Sequence, residues 1–470
     1  MRRRPNSYTL SLLSSALAWT PALVMPLLLA PQQAHAQGHA APTQAAPAPP
    51  PAQAMAPARA VDPFDAMFEG ADRGETAAIE HALADPGVRG DDRVLLRAAL
   101  AAARLDPVAA RDPALRRLAG GRDPARRRAA LRIITGSAFA QGDYAEAARA
   151  GRLLAEALAA SGNRTGAEGA ERGWRLAALL APHARRGVDG AVRAGTIPAR
   201  KDPVGLTRIA FSVNGQSQEA VFDTGAALSV LSVSTARRLG VRIEEGATPI
   251  GNGVQGTVAT RIGVAARVEV AGTMLTNVPF LILDDSALDF PQVPGGYNIP
   301  AIFGLPEMRT LGRMRMERAG RFTVLPPAGD GAAPANLRAS GNQLFAEVQV
   351  DGQAVPLLLD TGADRTSLTA LYAQAQPARV AALRTGQANF SSAGGTRVRR
   401  FAIWPDAPVA LDGKSLTLPQ LTIELPGSGP EPDDNGTLGS DILRRFESYT
   451  LDFRAMRLSL GSPVAAVASR

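Results

Sequence analysis

The chain has 470 residues, a formal net charge of +8 and no cysteine. At roughly 100–200 residues per domain this length makes two to four domains, and 46% apolar against 20% charged residues suits a packed core. Without cysteine, disulfide frameworks, thiolate metal sites, iron–sulfur clusters and a cysteine nucleophile are excluded. Of the 51 basic residues only Lys201 and Lys414 are lysine. No arginine block is interleaved with aromatics, so the basic balance reads as compositional bias, and no nucleic-acid partner is expected.

Residues 1–36 read as an export signal: Arg2-Arg3-Arg4, an apolar run from Leu10 to Ala30, and the small-x-small site Ala34-His35-Ala36. That predicts a periplasmic or extracellular protein. An uncleaved membrane anchor is the alternative, because the run is long enough to span a bilayer. Residues 37–61, rich in Ala, Pro and Gln, predict a disordered linker. Residues 62–195 predict an α-helical domain. Asp62-Pro63, Asp106-Pro107, Asp112-Pro113 and Asp123-Pro124 suit helix N-termini, where proline is tolerated in the first turn. The stretch from Gly142-Asp143-Tyr144 to Leu158 has the look of one tetratricopeptide-type hairpin. A peptide-binding array and a plain bundle both fit, so this region is a candidate surface for a protein partner.

From about 204 the texture turns to strand alternation and glycine turns, and it repeats. Arg208–Val213, the turn Asn214-Gly215 and an apolar strand lead into Asp223-Thr224-Gly225-Ala226. Leu344–Val350, the turn Asp351-Gly352 and a second apolar strand lead into Asp360-Thr361-Gly362-Ala363. Asn-Gly and Asp-Gly between alternating runs are strong hairpin signals. Further landmarks keep their order: Gly256-Thr257 and Gly395-Thr396, Ala271-Gly272 and Asp412-Gly413, then Ile302-Phe303-Gly304 and Thr437-Leu438-Gly439. Each copy is expected to close on a short strand, Phe322-Thr323-Val324 and Arg457–Leu460. The pattern predicts β domains at 204–325 and 342–461, separated by a linker at 326–341.

An apolar strand ending in aspartate places a carboxylate where burial costs several kcal/mol unless it is hydrogen-bonded or paired. Two such aspartates in equivalent places predict a pseudo-twofold site where the carboxylates face each other. Like charges that close cannot both ionise, so one proton is shared. One aspartate then activates water while the other protonates a carbonyl oxygen. No histidine follows His183, which argues against serine or cysteine triads and histidine zinc sites in this half.

These residues resemble the active-site loops of aspartic proteases, and the Ala after Gly is closer to retropepsins than to pepsins. The resemblance covers roughly residues 204–461, with both loops in one chain. It implies Asp223 and Asp360 as the catalytic dyad. It implies Thr224 and Thr361 as braces between the loops, and Gly225 and Gly362 as the points where substrate and water approach, with Ala226 and Ala363 beside them in the loops. Asp364 matches an acidic position that holds substrate backbone or a nearby arginine; its counterpart here is Ala227. Gly304 and Gly439 match glycines packed behind the loops. Gly253 and Gly256, and Gly394 and Gly395, are the flap candidates, with no pepsin-type flap tyrosine.

The expected fold is therefore α+β multidomain: an N-terminal α-helical domain, then two tandem closed-β, retropepsin- or pepsin-like domains. The expected activity is an exported aspartic endopeptidase acting on polypeptide, with the site formed within one chain and no metal or organic cofactor. The alternative is a catalytically silent peptide-binding or scaffold protein of the same fold.

Overall fold

The computed structural model describes residues 63–108, 111–244, 248–252, 256–291, 293, 295–328, 333–392, 395–427 and 434–464. The expected export signal and linker at 1–61 lie outside them. Helices come first: α1 (Pro63–Asp72), α2 (Ala77–Ala84), α3 (Gly90–Ala103), α4 (Pro113–Ala119), α5 (Pro124–Ala140), α6 (Tyr144–Ala160) and α7 (Arg164–Leu180). Asp112 and Asp123 cap α4 and α5 with proline in the first turn, because their carboxylates accept otherwise unpaired N–H groups while Pro has none to lose. Asp106 accepts the N–H of Val108 in a turn (2.8 Å); residues 109 and 110 after it lie outside the described residues. Asp143 caps α6, which forms an antiparallel hairpin with α7. No helix among the described residues is long and apolar enough to cross a membrane.

The turn glycines behave as their chemistry requires. Asn214-Gly215, Ala271-Gly272, Asp351-Gly352 and Asp412-Gly413 all have positive φ at both residues, the geometry that matches the twist of paired antiparallel strands.

Strands Thr207–Val213, Gln216–Phe222, Ala301–Phe303, Ser229–Ser232, Thr273–Leu283 and Gly256–Val270 lie in that spatial order. The last pairs back with the first, closing a barrel. Gln343–Val350, Gln353–Leu359, Gly436–Leu438, Ser367–Leu368, Lys414–Glu424 and Gly395–Leu411 follow the same order and close the same way. In each, two pairings are parallel: the strand before the aspartate with the short strand before Gly304 or Gly439, and the strand after it with the long hairpin. Those parallel neighbours bring the chain ends at Asp223 and Gly304, and at Asp360 and Gly439, side by side.

Two expectations need correction. The terminal strands do not close their own copies. Arg457–Leu460, Ser448–Asp452, Arg313–Glu317, Arg321–Val324 and Gly195–Lys201 form one shared antiparallel run. These segments alternate inward and outward, and each buries its apolar face only when the other copy's strand lies beside it. The linker at 326–341 also contains a strand, Leu337–Ser340, paired antiparallel with Gln343–Val350, Leu337 opposite Ala346 and Ala339 opposite Leu344; Leu337 and Ala339 are buried.

The helices rest on both barrels. Asn435 Nδ2 donates to Glu75 Oε1 (2.8 Å) and Arg338 Nε to Thr76 Oγ1 (3.1 Å). Tyr144 packs in one apolar cluster with Leu206 and Leu288. Leu451 is fully buried and pairs with Met314 of the other copy. Leu451→Ala should therefore cost about 2–5 kcal/mol and lower the stability of both barrels together. Urea unfolding followed by Trp404 fluorescence, with hydrogen exchange of 207–222, checks this; an unchanged first barrel would count against the shared sheet.

Candidate active site

Both aspartates sit where an apolar strand ends in a tight turn, and both are fully buried. Asp223 Oδ1 accepts the N–H of Gly225 (2.8 Å). Asp360 Oδ1 accepts those of Gly362 (2.8 Å) and Ala363 (2.9 Å). The turns thus satisfy one carboxyl oxygen with backbone and turn the other inward.

The loops are cross-linked by their threonines. The Thr224 N–H donates to Thr361 Oγ1 (3.0 Å), and the Thr361 N–H donates to Thr224 Oγ1 (3.0 Å). Each hydroxyl in turn donates across the interface: Thr224 Oγ1 to the Leu359 carbonyl (2.7 Å), Thr361 Oγ1 to the Phe222 carbonyl (2.8 Å). Four hydrogen bonds, all buried, lock the relative position of the aspartates.

Glycine is needed at 362 for a reason of space. A Cβ there would lie 2.6 Å from Asp223 Cγ. The Asp223 carboxyl therefore packs on the backbone of the opposite loop. Its pKa is raised well above the ordinary carboxylate value, first by burial, then by the charge of Asp360 and a hydrogen bond with that carboxyl; the Gly225 and Ala226 N–H groups oppose the shift.

Gly304 and Gly439 lie directly behind the loops. A Cβ at 304 would meet Leu228 and Ser229 backbone at 2.8 Å, and one at 439 the Arg365 carbonyl carbon at 2.4 Å. The residues that follow them tie the loops down: the Leu305 N–H donates to the Ala226 carbonyl (2.9 Å), the Ser440 N–H to the Ala363 carbonyl (2.8 Å). Asp364 accepts from Arg444 (2.6 Å), the arginine pairing that its position implied. Gly256 and Gly395 each begin the returning strand of a hairpin, opposite Asn252 and Ser392. Gly253 and Gly394 lie outside the described residues. Helix α7 touches the first hairpin arm, Thr248–Asn252.

Sequence reading missed a second layer. Ser229 and Thr366 both stand six residues after their aspartate. Ser229 Oγ accepts the Gly304 N–H (2.9 Å) and Thr366 Oγ1 that of Gly439 (3.1 Å). Each hydroxyl then donates to a carboxylate from behind the loop: Ser229 to Glu307, Thr366 to Asp441 (2.7 Å). Burial raises the pKa of both acids. Glu307 also faces Arg186 (3.4 Å), which follows the helical segment. The equal spacing of the two hydroxyls was the available signal. No cluster of metal-ligating side chains occurs among the described residues.

Because folded Asp223 holds its proton more tightly, the folded chain binds more protons than the unfolded one between the ordinary value, about 3.9, and the raised value. Stability from this group is present below that window and falls as pH rises through it. Asp223→Asn should thus be more stable than the native chain at neutral pH, with the difference gone below about pH 4 in urea titrations. Thr361→Val should orphan the Phe222 carbonyl and the Thr224 N–H, costing roughly 2–5 kcal/mol in the same assay.

Residues 209–306 match the family described as Aspartyl protease. That span contains the Asp223 loop and Gly304. Among solved structures, a retropepsin-like aspartic protease from Rickettsia conorii aligns with 30% of this chain and 95% of its own, at 14% identity and a TM-score of 0.21; so low a score adds nothing to the argument. No curated protein matches the chain. The family match, over residues that include the Asp223-Thr224-Gly225 loop, supports the resemblance of this part of the chain to aspartyl proteases.

Proposed function

We propose that the chain is an aspartic-type endopeptidase that hydrolyses peptide bonds with water activated between Asp223 and Asp360. The observation that carries this reading is the buried carboxyl pair held by reciprocal Thr224–Thr361 bonds. A pair of buried carboxyls so held keeps one proton between them. The ionised carboxyl takes a proton from water as its oxygen forms a bond to the scissile carbonyl carbon. The protonated carboxyl gives its proton to the carbonyl oxygen. In the second step the C–N bond breaks, the nitrogen leaves with a proton from the dyad, and a hydroxyl of the tetrahedral intermediate gives its proton back to the dyad as the new carboxyl forms. The pair returns to its starting charge, and no cofactor enters.

The hairpin arms Thr248–Asn252 and Arg384–Ser392 are suited to close over an extended polypeptide at the dyad. The export-signal pattern at 1–36 supports an activity outside the cytoplasm, on polypeptide in the periplasm or beyond. One chain supplies both aspartates, so the site needs no second copy.

Asp223→Asn and Asp360→Asn, assayed separately on unfolded casein, should each lower cleavage by at least about a hundredfold. Native activity should fall on the alkaline side as the shared proton is lost, and a statine-type transition-state mimic should block it. Retained cleavage in both variants would overturn the reading.

A further inference from the structure

The two catalytic loops are anchored differently four residues after each aspartate. In the second loop Arg444 donates to both the carbonyl (2.9 Å) and the carboxylate (2.6 Å) of Asp364. In the first loop that position is Ala227, which has no carboxylate. The arginine at the matching place behind the loop is nevertheless present: Arg309 follows Gly304 by five residues, as Arg444 follows Gly439.

Arg309 makes other bonds. It donates to Asn342 Oδ1 (2.8 Å) and to the Gly341 carbonyl (2.8 Å). Among the described residues it has no carboxylate partner. Burial and the nearby charge of Arg186 pull its pKa down to about 9. Asn342 is buried, and its Nδ2 donates to the Ala227 carbonyl (2.7 Å). The loop carbonyl that Arg444 binds directly in the second copy is thus bound in the first through a relay, Arg309 to Asn342 to Ala227. An amide fits this place because it accepts on one side and donates on the other.

We propose that Asn342, in the turn between the paired strands Leu337–Ser340 and Gln343–Val350 of the second copy, is a positioning residue for the Asp223 loop and replaces the missing carboxylate at 227. This role rests on the peptidase reading above. It makes the first half of the dyad depend on this turn of the second copy, where Gly341 lies against Gly136 of α5. The matching Asp364 carbonyl is held by Arg444 of its own copy.

The test uses the full chain and three variants: Asn342→Ala, Asn342→Asp, and Asn342→Ala combined with Ala227→Asp. Asn342→Asp keeps an acceptor for Arg309 but loses the donor to Ala227, so it should fold at least as stably as the native chain. On fluorescein-labelled casein, both single variants should lower kcat about tenfold with KM within about twofold. The double variant, with a carboxylate restored opposite Arg309, should recover most of the loss. Carbon-13 titration of the Asp223 carboxyl should show its midpoint falling toward the ordinary value in the single variants and returning in the double. Native kcat and titration in folded Asn342→Asp would overturn the proposal, as would a loss that Ala227→Asp leaves unrepaired. If the native chain cleaves nothing, the peptidase reading fails, and the carboxyl titration in Asn342→Asp decides the positioning role by itself.

Discussion

The structure depends on keeping two carboxyl groups side by side out of water. Each is costly to bury, and together they repel when both are ionised. What makes the arrangement stable is the exchange of hydrogen bonds between Thr224 and Thr361, which satisfies four buried backbone groups at the point where the barrels meet. Neither barrel satisfies those groups alone. The same bonds that assemble the site therefore also join the two halves of the protein.

Around this centre the loops are supported in layers. Gly304 and Gly439 allow a backbone to pass directly behind each turn. Ser229 and Thr366 then bond those glycines and pass the contact to Glu307 and Asp441. A buried carboxylate accepting from a hydroxyl fixes that hydroxyl's direction, so the Asp-Thr-Gly turn has little freedom left. Glu307 reaches Arg186 and through it the end of the helical segment. Among the described residues Asp441 has no such link outward; its neighbouring charge is Arg444, within the same copy. The first loop is therefore the one in mechanical contact with the helices, and helix α7 also touches the hairpin arm over that side.

The shared antiparallel run of terminal strands gives the barrels a common floor. Tyr449 faces Met316, and Leu451 faces Met314, across a boundary that separates distant parts of the chain. Apolar burial there is possible only when both copies are folded, so the rigidity of the dyad is coupled to that of the whole β half. The helices add contacts to both copies through Glu75, Thr76 and Tyr144, spanning the boundary from a second side.

Local chemistry made much of this legible in the sequence. Four hairpin turns follow from residue pairs that tolerate positive φ. The two Asp-Thr-Gly turns follow from a carboxylate at the end of an apolar strand, and the α4 and α5 starts from aspartate before proline. Each of these is decided within a few residues, so it can be read without knowing what lies across the molecule. The terminal strands, the strand inside the presumed linker and the relay through Asn342 could not be read in this way. Arg313–Glu317 alternates like any half-buried strand, and nothing within it says that its partner is Ser448–Asp452. Asn342 looks like an ordinary turn residue until the fold sets its amide between Arg309 and the Ala227 carbonyl. The sequence by itself determined which residues turn, cap and carry charge. Only the tertiary structure decided which buried groups satisfy one another, because a hydrogen bond between residues 115 positions apart leaves no local pattern in either segment.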